Sequence, residues 1–320
     1  MKKNFILLGV LLALSLSACG SKSTDKSDDK TAKTDSKAKT SIDTTGFLVT
    51  SINADIQTAD PDKTSKDYMV PLNIFDRLVE VEVKDDGSSE LVPSLAKSWD
   101  ISEDGKVYTL HLQEGVKFSN GADFKSDDVV YSLTRMLGVT GAVNGDFVSQ
   151  IDGADKVMDG SSKELSGVKA IDDYTVEITL SEPYAGFLAC LSASPVCMLD
   201  KDTTEAAGDK FGIDPSVTVG TGAFKMAEWT VNDSIVLTKN DTYWGGDVSL
   251  PGVLIRVIPD SETRNMMFKN GELDILDFDY MIDYIDTYKK EMPDVLHHTP
   301  IVGVTYFTFN ENIEPLNNVK

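Results

Sequence analysis

The sequence is poor in the residues from which small stapled or metal-built domains are made. Three Cys and three His in 320 residues are too few for a disulfide scaffold or a four-Cys zinc site. Basic residues are also scarce, with 30 Lys plus Arg against 52 Asp plus Glu and a formal net charge of -22. A body so acidic repels phosphate backbones and anionic lipid, which argues against nucleic acid as a partner and against a basic peripheral membrane helix. After the amino-terminal apolar stretch, no second run reaches transmembrane length. What is present is a globular composition, 41% hydrophobic and 26% charged, in a length that suits roughly two domains.

Lys2 and Lys3 form a basic start, Phe5 to Leu14 an apolar stretch, and Leu16-Ser17-Ala18-Cys19 a close of small residues before a cysteine. That pattern reads as a secretory signal over residues 1–18, too short to span a bilayer by itself. Leu16 to Cys19 match the lipobox of bacterial lipoproteins, in which the thiol of Cys19 would receive a diacylglycerol and Cys19 would become the new first residue. From Gly20 to Thr45 the chain is nearly all Ser, Thr, Lys, Asp and Ala, with Ile42 its one large apolar residue. Such a stretch cannot bury enough surface to offset its ordering entropy, so residues 19–45 read as a lipidated flexible tether. The tether carries six Lys and five Asp, and Lys2 and Lys3 precede it, so the charge left on residues 46–320 is -25.

Beyond Gly46 strands and helices alternate without an internal repeat. Phe47 to Thr50 reads as a strand, and a polar loop follows that ends in Asp60-Pro61. Tyr68, Leu72, Phe75 and Val79 recur at helical spacing around Pro71, and Pro93 to Trp99 reads as a short helix opened by proline. Trp99 to Ile101 and Val107 to Leu112 flank Asp104-Gly105 as a hairpin, with Tyr108, Leu110 and Leu112 on one face. Val116 to Phe118 reads as a further strand. Ser126 is expected to cap a helix whose buried stripe is Val129, Val130, Leu133, Met136 and Leu137. Residues 139–167 read as loops around one short helix, and Thr175 to Leu180 as an alternating strand. Strands are expected at Ala223 to Trp229, Ser234 to Thr238 and Val253 to Ile258, then a helix capped by Ser261 and ended by Gly271. The mixed order implies an α/β or α+β architecture.

Catalytic and metal motifs are mostly missing. Ser94-Leu95-Ala96-Lys97 fits the S-x-x-K of penicillin-binding enzymes, but no K-T-G accompanies it, and G-x-S-x-G, P-loop and H-E-x-x-H patterns do not occur. Asp60, Asp62 and Thr64 imitate the start of an EF-hand loop, yet Ser65 stands where Gly is needed and Pro71 where the bidentate Glu belongs. His111 falls on the outer face of its strand, and adjacent His297 and His298 diverge, so no zinc site is expected. Cys190 and Cys197 either pair across a small loop or lie as buried apolar residues beside Phe187, Leu191 and Met198; the second reading is preferred.

The segment Leu91 to Leu137 carries a Pro-x-Leu-Ala element, a Trp strand, a D-G hairpin, G-V-x-F, a following Gly and a D-V-opened helix, in that order. This resembles the family 5 extracellular solute-binding proteins, the oligopeptide- and dipeptide-binding lipoproteins of ABC importers. Gln113 departs from a usually basic position. Further matches are Asp60-Pro61, Val219-Gly220-Thr221-Gly222-Ala223-Phe224, the N-D-T-Y-W of Asn240 to Trp244, Asn270-Gly271-Glu272-Leu273-Asp274, and Asn310 with Pro315.

The resemblance implies an α/β, two-lobed periplasmic-binding-protein-like fold with an extra small domain and a truncated second lobe. Residues 46–76 and 168–260 would form the large lobe, 77–167 the extra domain, and 261–320 the opening of the second lobe, in an amino-terminal fragment of a longer protein. It implies a monomer without enzymatic activity or cofactor, lipid-anchored on the extracytoplasmic face. By hinge closure it would capture a peptide and pass it to the permease and ATPase subunits of an ABC transporter; nickel, haem or sugar ligands, or an adhesin or sensor role, are the alternatives. It places Thr64, Ser65, Lys66, Asp67 and Tyr68 on one side of the ligand cleft and Asp277, Phe278 and Asp279 on the other. Asp277 or Asp279 would hold a ligand ammonium and Lys66 a carboxylate.

Overall fold

The computed structural model describes residues 40–84, 87–278, 281–297 and 312–314. The signal segment, Cys19, the tether through residue 39, and Asp279 lie outside the described residues. In chain order the elements begin with β1 (Leu48–Ile52), α1 (Pro71–Ile74), β2 (Val79–Val83), β3 (Ser89–Pro93), β4 (Ala96–Ile101) and β5 (Val107–Leu112). Next come α2 (Ser126–Gly138), α3 (Ala154–Met158), β6 (Val168–Asp172), β7 (Thr175–Thr179), α4 (Phe187–Leu191) and α5 (Lys201–Ala207). The last are β8 (Phe224–Thr230), β9 (Ser234–Lys239), β10 (Gly252–Val257), α6 (Ser261–Lys269) and α7 (Ile282–Glu291).

Two four-stranded sheets and one hairpin organise these elements. The first sheet has the order β1-β10-β9-β8, with β1 parallel to β10 and the other pairs antiparallel. Its core contains Ile235, Leu237 and Ile255 from the strands, Ile74 and Phe75 from the α1 region, and Phe211. The second sheet, β4-β5-β7-β6, is antiparallel throughout. Tyr108, Leu110 and Leu112 of β5 face inward with Val176 and Ile178 of β7, and α2 contributes Val129, Leu133, Met136 and Leu137 to the same core. The period-two and helical stripes thus meet in one layer, as half-buried antiparallel strands require.

At the hairpin turn Gly105 takes φ +70°, and the Asp104 carboxylate accepts from Ser102 Oγ at 2.6 Å and from the Lys106 amide at 3.1 Å. The Gly-Thr-Gly motif has a different cause. A Cβ on Gly220 would come within 2.0 Å of the Ile74 carbonyl oxygen, and Gly222 donates its amide to that oxygen at 3.0 Å. Only glycine lets this backbone lie against the end of α1.

Several expectations fail for identifiable reasons. The helix over Tyr68–Val79 shrinks to α1, because Phe75 is already extended and Val79 begins β2 opposite Pro93. Pro93 to Trp99 is not helical: the Leu95 and Ala96 amides donate to the Arg77 and Leu78 carbonyls, a tertiary pairing that overrides the proline signal. The S-x-x-K match loses its helix with it, and Lys97 pairs instead with exposed Glu114 at 3.1 Å. Val116 to Phe118 makes only an isolated bridge, Lys117 to Asp123. Ser126 is the first helical residue and not the cap; its hydroxyl donates to the Asp172 carbonyl at 2.5 Å, while Asp128 accepts from the Lys125 amide at 2.9 Å. Asp260, not Ser261, caps α6 through the Thr263 amide at 2.7 Å, and Gly271 follows the helix at φ +73° as expected. Residues 168–179, assigned by resemblance to the large lobe, supply β6 and β7 to the second sheet, since β7 pairs with β5. Cys190 and Cys197 are free thiols, the latter buried and donating to the Ser194 carbonyl.

Leu110 is fully buried at the centre of the second sheet. Leu110→Ala should therefore lower the unfolding free energy by about 2–5 kcal/mol, read from the denaturation midpoint at unchanged slope.

Candidate functional site

The loop from Asp60 to Tyr68 is held from below by α2. Asp60 and Asp62 are buried, and the Arg135 guanidinium, itself 8% exposed, reaches both. Nη1 and Nη2 donate to the two oxygens of Asp60 at 2.9 and 2.6 Å, and Nη1 also donates to Asp62 Oδ2. The cation lies 5.2 Å from the centre of the Phe211 ring. Arg135 thus serves both carboxylates, Lys63 Nζ stands 4.0 Å from Asp60 Oδ2, and Asp62 Oδ1 has no partner among the described residues. Burial pushes the Asp62 carboxyl up to about 7 against the lowering effect of Arg135, with the neighbouring Asp60 charge adding to the rise. Burial also works against the Arg135 charge, but hydrogen bonding to Asp60 and the fields of both carboxylates outweigh it and hold its pKa above the ordinary value. The EF-hand-like aspartates are therefore turned toward a guanidinium.

A second clamp comes from the loop after α2. Buried Asn144 donates its side-chain amide to the Pro61 carbonyl at 2.8 Å, to the Thr64 carbonyl at 2.7 Å and to the Tyr68 hydroxyl at 3.1 Å. Tyr68 returns a 2.6 Å bond to the Thr64 carbonyl, and burial raises its pKa. Thr64 Oγ1 donates to the Lys66 carbonyl. These bonds leave Ser65 and Lys66 exposed at the tip and force Asp67 to φ +63°, a left-handed position that aspartate tolerates better than most residues.

Past this loop, β1 ends beside β10 and opens onto a pocket of about 120 Å³ lined by Ser51, Asn53, Asp67, Met69, Arg264 and Asp277, among others. The carboxyl ends of adjacent parallel strands are where open α/β sheets leave room for ligands. The Glu272-Leu273-Asp274 motif explains how Asp277 arrives there. Leu273 is buried with Ile258 and Met267, and Asp274 binds the side of β1 away from β10, its carboxylate accepting from the Val49 amide at 2.7 Å and its amide donating to the Val49 carbonyl at 2.8 Å.

Of the residues expected at the cleft, Asp67 and Asp277 are brought to one pocket. Thr64 and Tyr68 shape the loop from within, and Ser65 and Lys66 stand in solvent beside it. Phe278 packs edge-on against Tyr288 of α7 at 5.2 Å. Ser51, Asn53 and Arg264 were not anticipated. Arg264 carried a legible signal, because it shares the inner face of α6 with Met267, an arginine in an apolar stripe.

Residues 90–320 match the family model described as bacterial extracellular solute-binding proteins, family 5 Middle. The chain belongs to this family. The periplasmic oligopeptide-binding protein OppA of Escherichia coli K12 is 31% identical over 278 residues, which is 85% of this chain and 50% of the relative. The crystal structure of Haemophilus influenzae OppA in complex with RPPGFSPFR superposes with a TM-score of 0.71 at 26% identity, covering 78% of this chain and 49% of that one. The substrate-binding domain of an oligopeptide ABC transporter from Bacillus anthracis gives a TM-score of 0.68 at 28% identity, covering 77% and 48%. The chain thus spans about half the length of the relatives it matches. No helix among the described residues is long and apolar enough to cross a membrane.

The raised Asp62 pKa has a defined sign. A carboxyl whose folded pKa lies near 7, above an ordinary 3.8, binds more protons folded than unfolded between those values, so its contribution to stability falls as pH rises through that window. Asp62→Asn removes this dependence. Relative to the wild type, the variant should gain stability between pH 4 and about 7, measured by urea unfolding at several pH values.

Proposed function

We propose that the complete protein captures peptides between two lobes by hinge closure and delivers them to the permease and ATPase subunits of an ABC transporter. The observation that carries this reading is the pocket at the carboxyl ends of β1 and β10, formed within a chain that follows OppA over most of its length. In this reading the Thr64–Tyr68 loop supplies the first lobe's wall, and Asp277 and Phe278 lie where the chain leaves for the second. An extended peptide suits such a cleft, because its backbone can be bonded regardless of sequence and water can fill spare side-chain space. Closure requires no bond chemistry, only a ligand that contacts both lobes better when they are together. The protein acts as a monomer held to the extracytoplasmic face of the membrane by lipid on Cys19.

Calorimetry of the complete protein with di-, tri- and pentapeptides, and with nickel and haemin as comparators, tests the ligand class. Saturable heat with peptides alone is expected; binding of nickel or haemin without any peptide would replace the reading. Anchoring is tested separately by cell fractionation, where Cys19→Ala should move the protein from the membrane to the soluble fraction.

A further inference from the structure

The loop that carries Ser65, Lys66 and Asp67 contains turns and bends but no helix or strand, so its form depends on what holds it from outside. Just before it, the Gly212 carbonyl, next to Phe211 of the first core, accepts from the Ala59 amide at 2.7 Å and from Thr58 Oγ1 at 3.2 Å. From the other side the ties come from α2 and the loop after it. Arg135 holds Asp60 and Asp62, and the Val143 amide donates to the Asp62 carbonyl at 3.0 Å. Asn144 then reaches past these to the Pro61 and Thr64 carbonyls and the Tyr68 hydroxyl.

Asn144 is well placed to hold another segment. It is buried, and it precedes a 3₁₀ turn, Gly145–Val148, whose Val148 is fully buried in the core of the second sheet. Its two amide hydrogens serve three acceptors, all of them in the loop. What they hold is a form that a free segment would populate sparsely, because Asp67 sits at φ +63°. A protein whose competent form is populated only part of the time binds with its affinity reduced by that fraction. Removing the clamp should therefore be felt at the tip, which Asn144 does not itself form.

We propose that Asn144 is a positioning residue for ligand capture, through which the second sheet and α2 preset the backbone course of the Ser65–Asp67 tip before a peptide arrives. The Ser65 and Lys66 side chains stay exposed and adaptable. The role rests on the peptide-capture reading and deepens it, since part of the affinity then originates in a core that lies outside the ligand loop.

Hydrogen exchange and calorimetry of the complete protein test this, with trialanine and pentaalanine as probes. In ligand-free Asn144→Ala, exchange across residues 63–68 should rise at least about tenfold, while exchange in β5 and β9 stays within about twofold of the wild type. A general loss of stability would instead raise all three. The same variant should bind the probes at least about threefold more weakly than the wild type. Asn240→Ala is the matched control, since Asn240 is also buried and donates to the Gly222 carbonyl at 2.8 Å, outside this loop. It should leave loop exchange and affinity within about twofold. Tyr68→Phe keeps the ring but removes the bond to Thr64 and one acceptor for Asn144. It should raise loop exchange at least about threefold, and it decides the case if Asn144→Ala does not melt cooperatively. Loop exchange that stays at the wild-type rate, an affinity untouched by a loosened loop, or equal effects in Asn240→Ala overturns the positioning role. If the wild type binds no peptide, peptide capture falls, and the clamp stands or falls by loop exchange alone.

Discussion

A single guanidinium, that of Arg135, bonds both Asp60 and Asp62 where neither carboxylate reaches water, and the loop that borders the pocket takes its shape from that shared partner. Arg135 belongs to α2, the helix whose other face closes the core of the second sheet. Its fork grips Asp60 with two bonds and Asp62 with one. A buried ion pair of this kind adds little net stability over apolar packing but fixes which groups lie together. Here it fixes the start of the loop against a helix of the second sheet, so the position of Asp67 depends on the packing of Leu133 and Met136, 66 and 69 residues further along the chain.

The Asn144 amide completes the arrangement by using both of its hydrogens on loop acceptors. With Arg135 below and Asn144 beside it, the segment has no regular secondary structure and yet few freedoms left. A loop built this way spends its ordering entropy during folding and keeps less to lose on any later contact. The exposed tip at Ser65 and Lys66 is the part that stays adaptable.

Much of this was legible in the residues. The β4–β5 hairpin followed from Asp104-Gly105 and three alternating apolar residues, and α2 from its stripe, because both signals are local. The failures share a cause. Pro93 to Trp99 carries a helix-opening proline, but its amides are claimed by Arg77 and Leu78, and no local pattern reports a partner so far back along the chain. The same holds for the cap of α2, where Asp172 takes the Ser126 hydroxyl. At the pocket, Asp67 and Asp277 were both expected by resemblance to line a cleft and share this lining, whereas Ser51 and Arg264 come together only because β1 and α6 are brought together by a parallel pairing over two hundred residues apart. Sequence pattern reads what a segment prefers; it does not read which distant backbone will bid for its hydrogen bonds.

The contact between Asp274 and Val49 has a consequence outside ligand binding. Among the described residues β1 is the last strand of its sheet, and without a cover its side away from β10 would offer the Val49 amide and carbonyl to any extended chain that drifted past. Asp274 occupies both groups with one residue, using a carboxylate for the amide and an amide for the carbonyl. The few residues that follow α6 therefore blunt this edge, and they do so with a negative charge. Shortening the protein from its carboxyl end past this point would uncover a template for self-association before it removed any described strand of the first sheet.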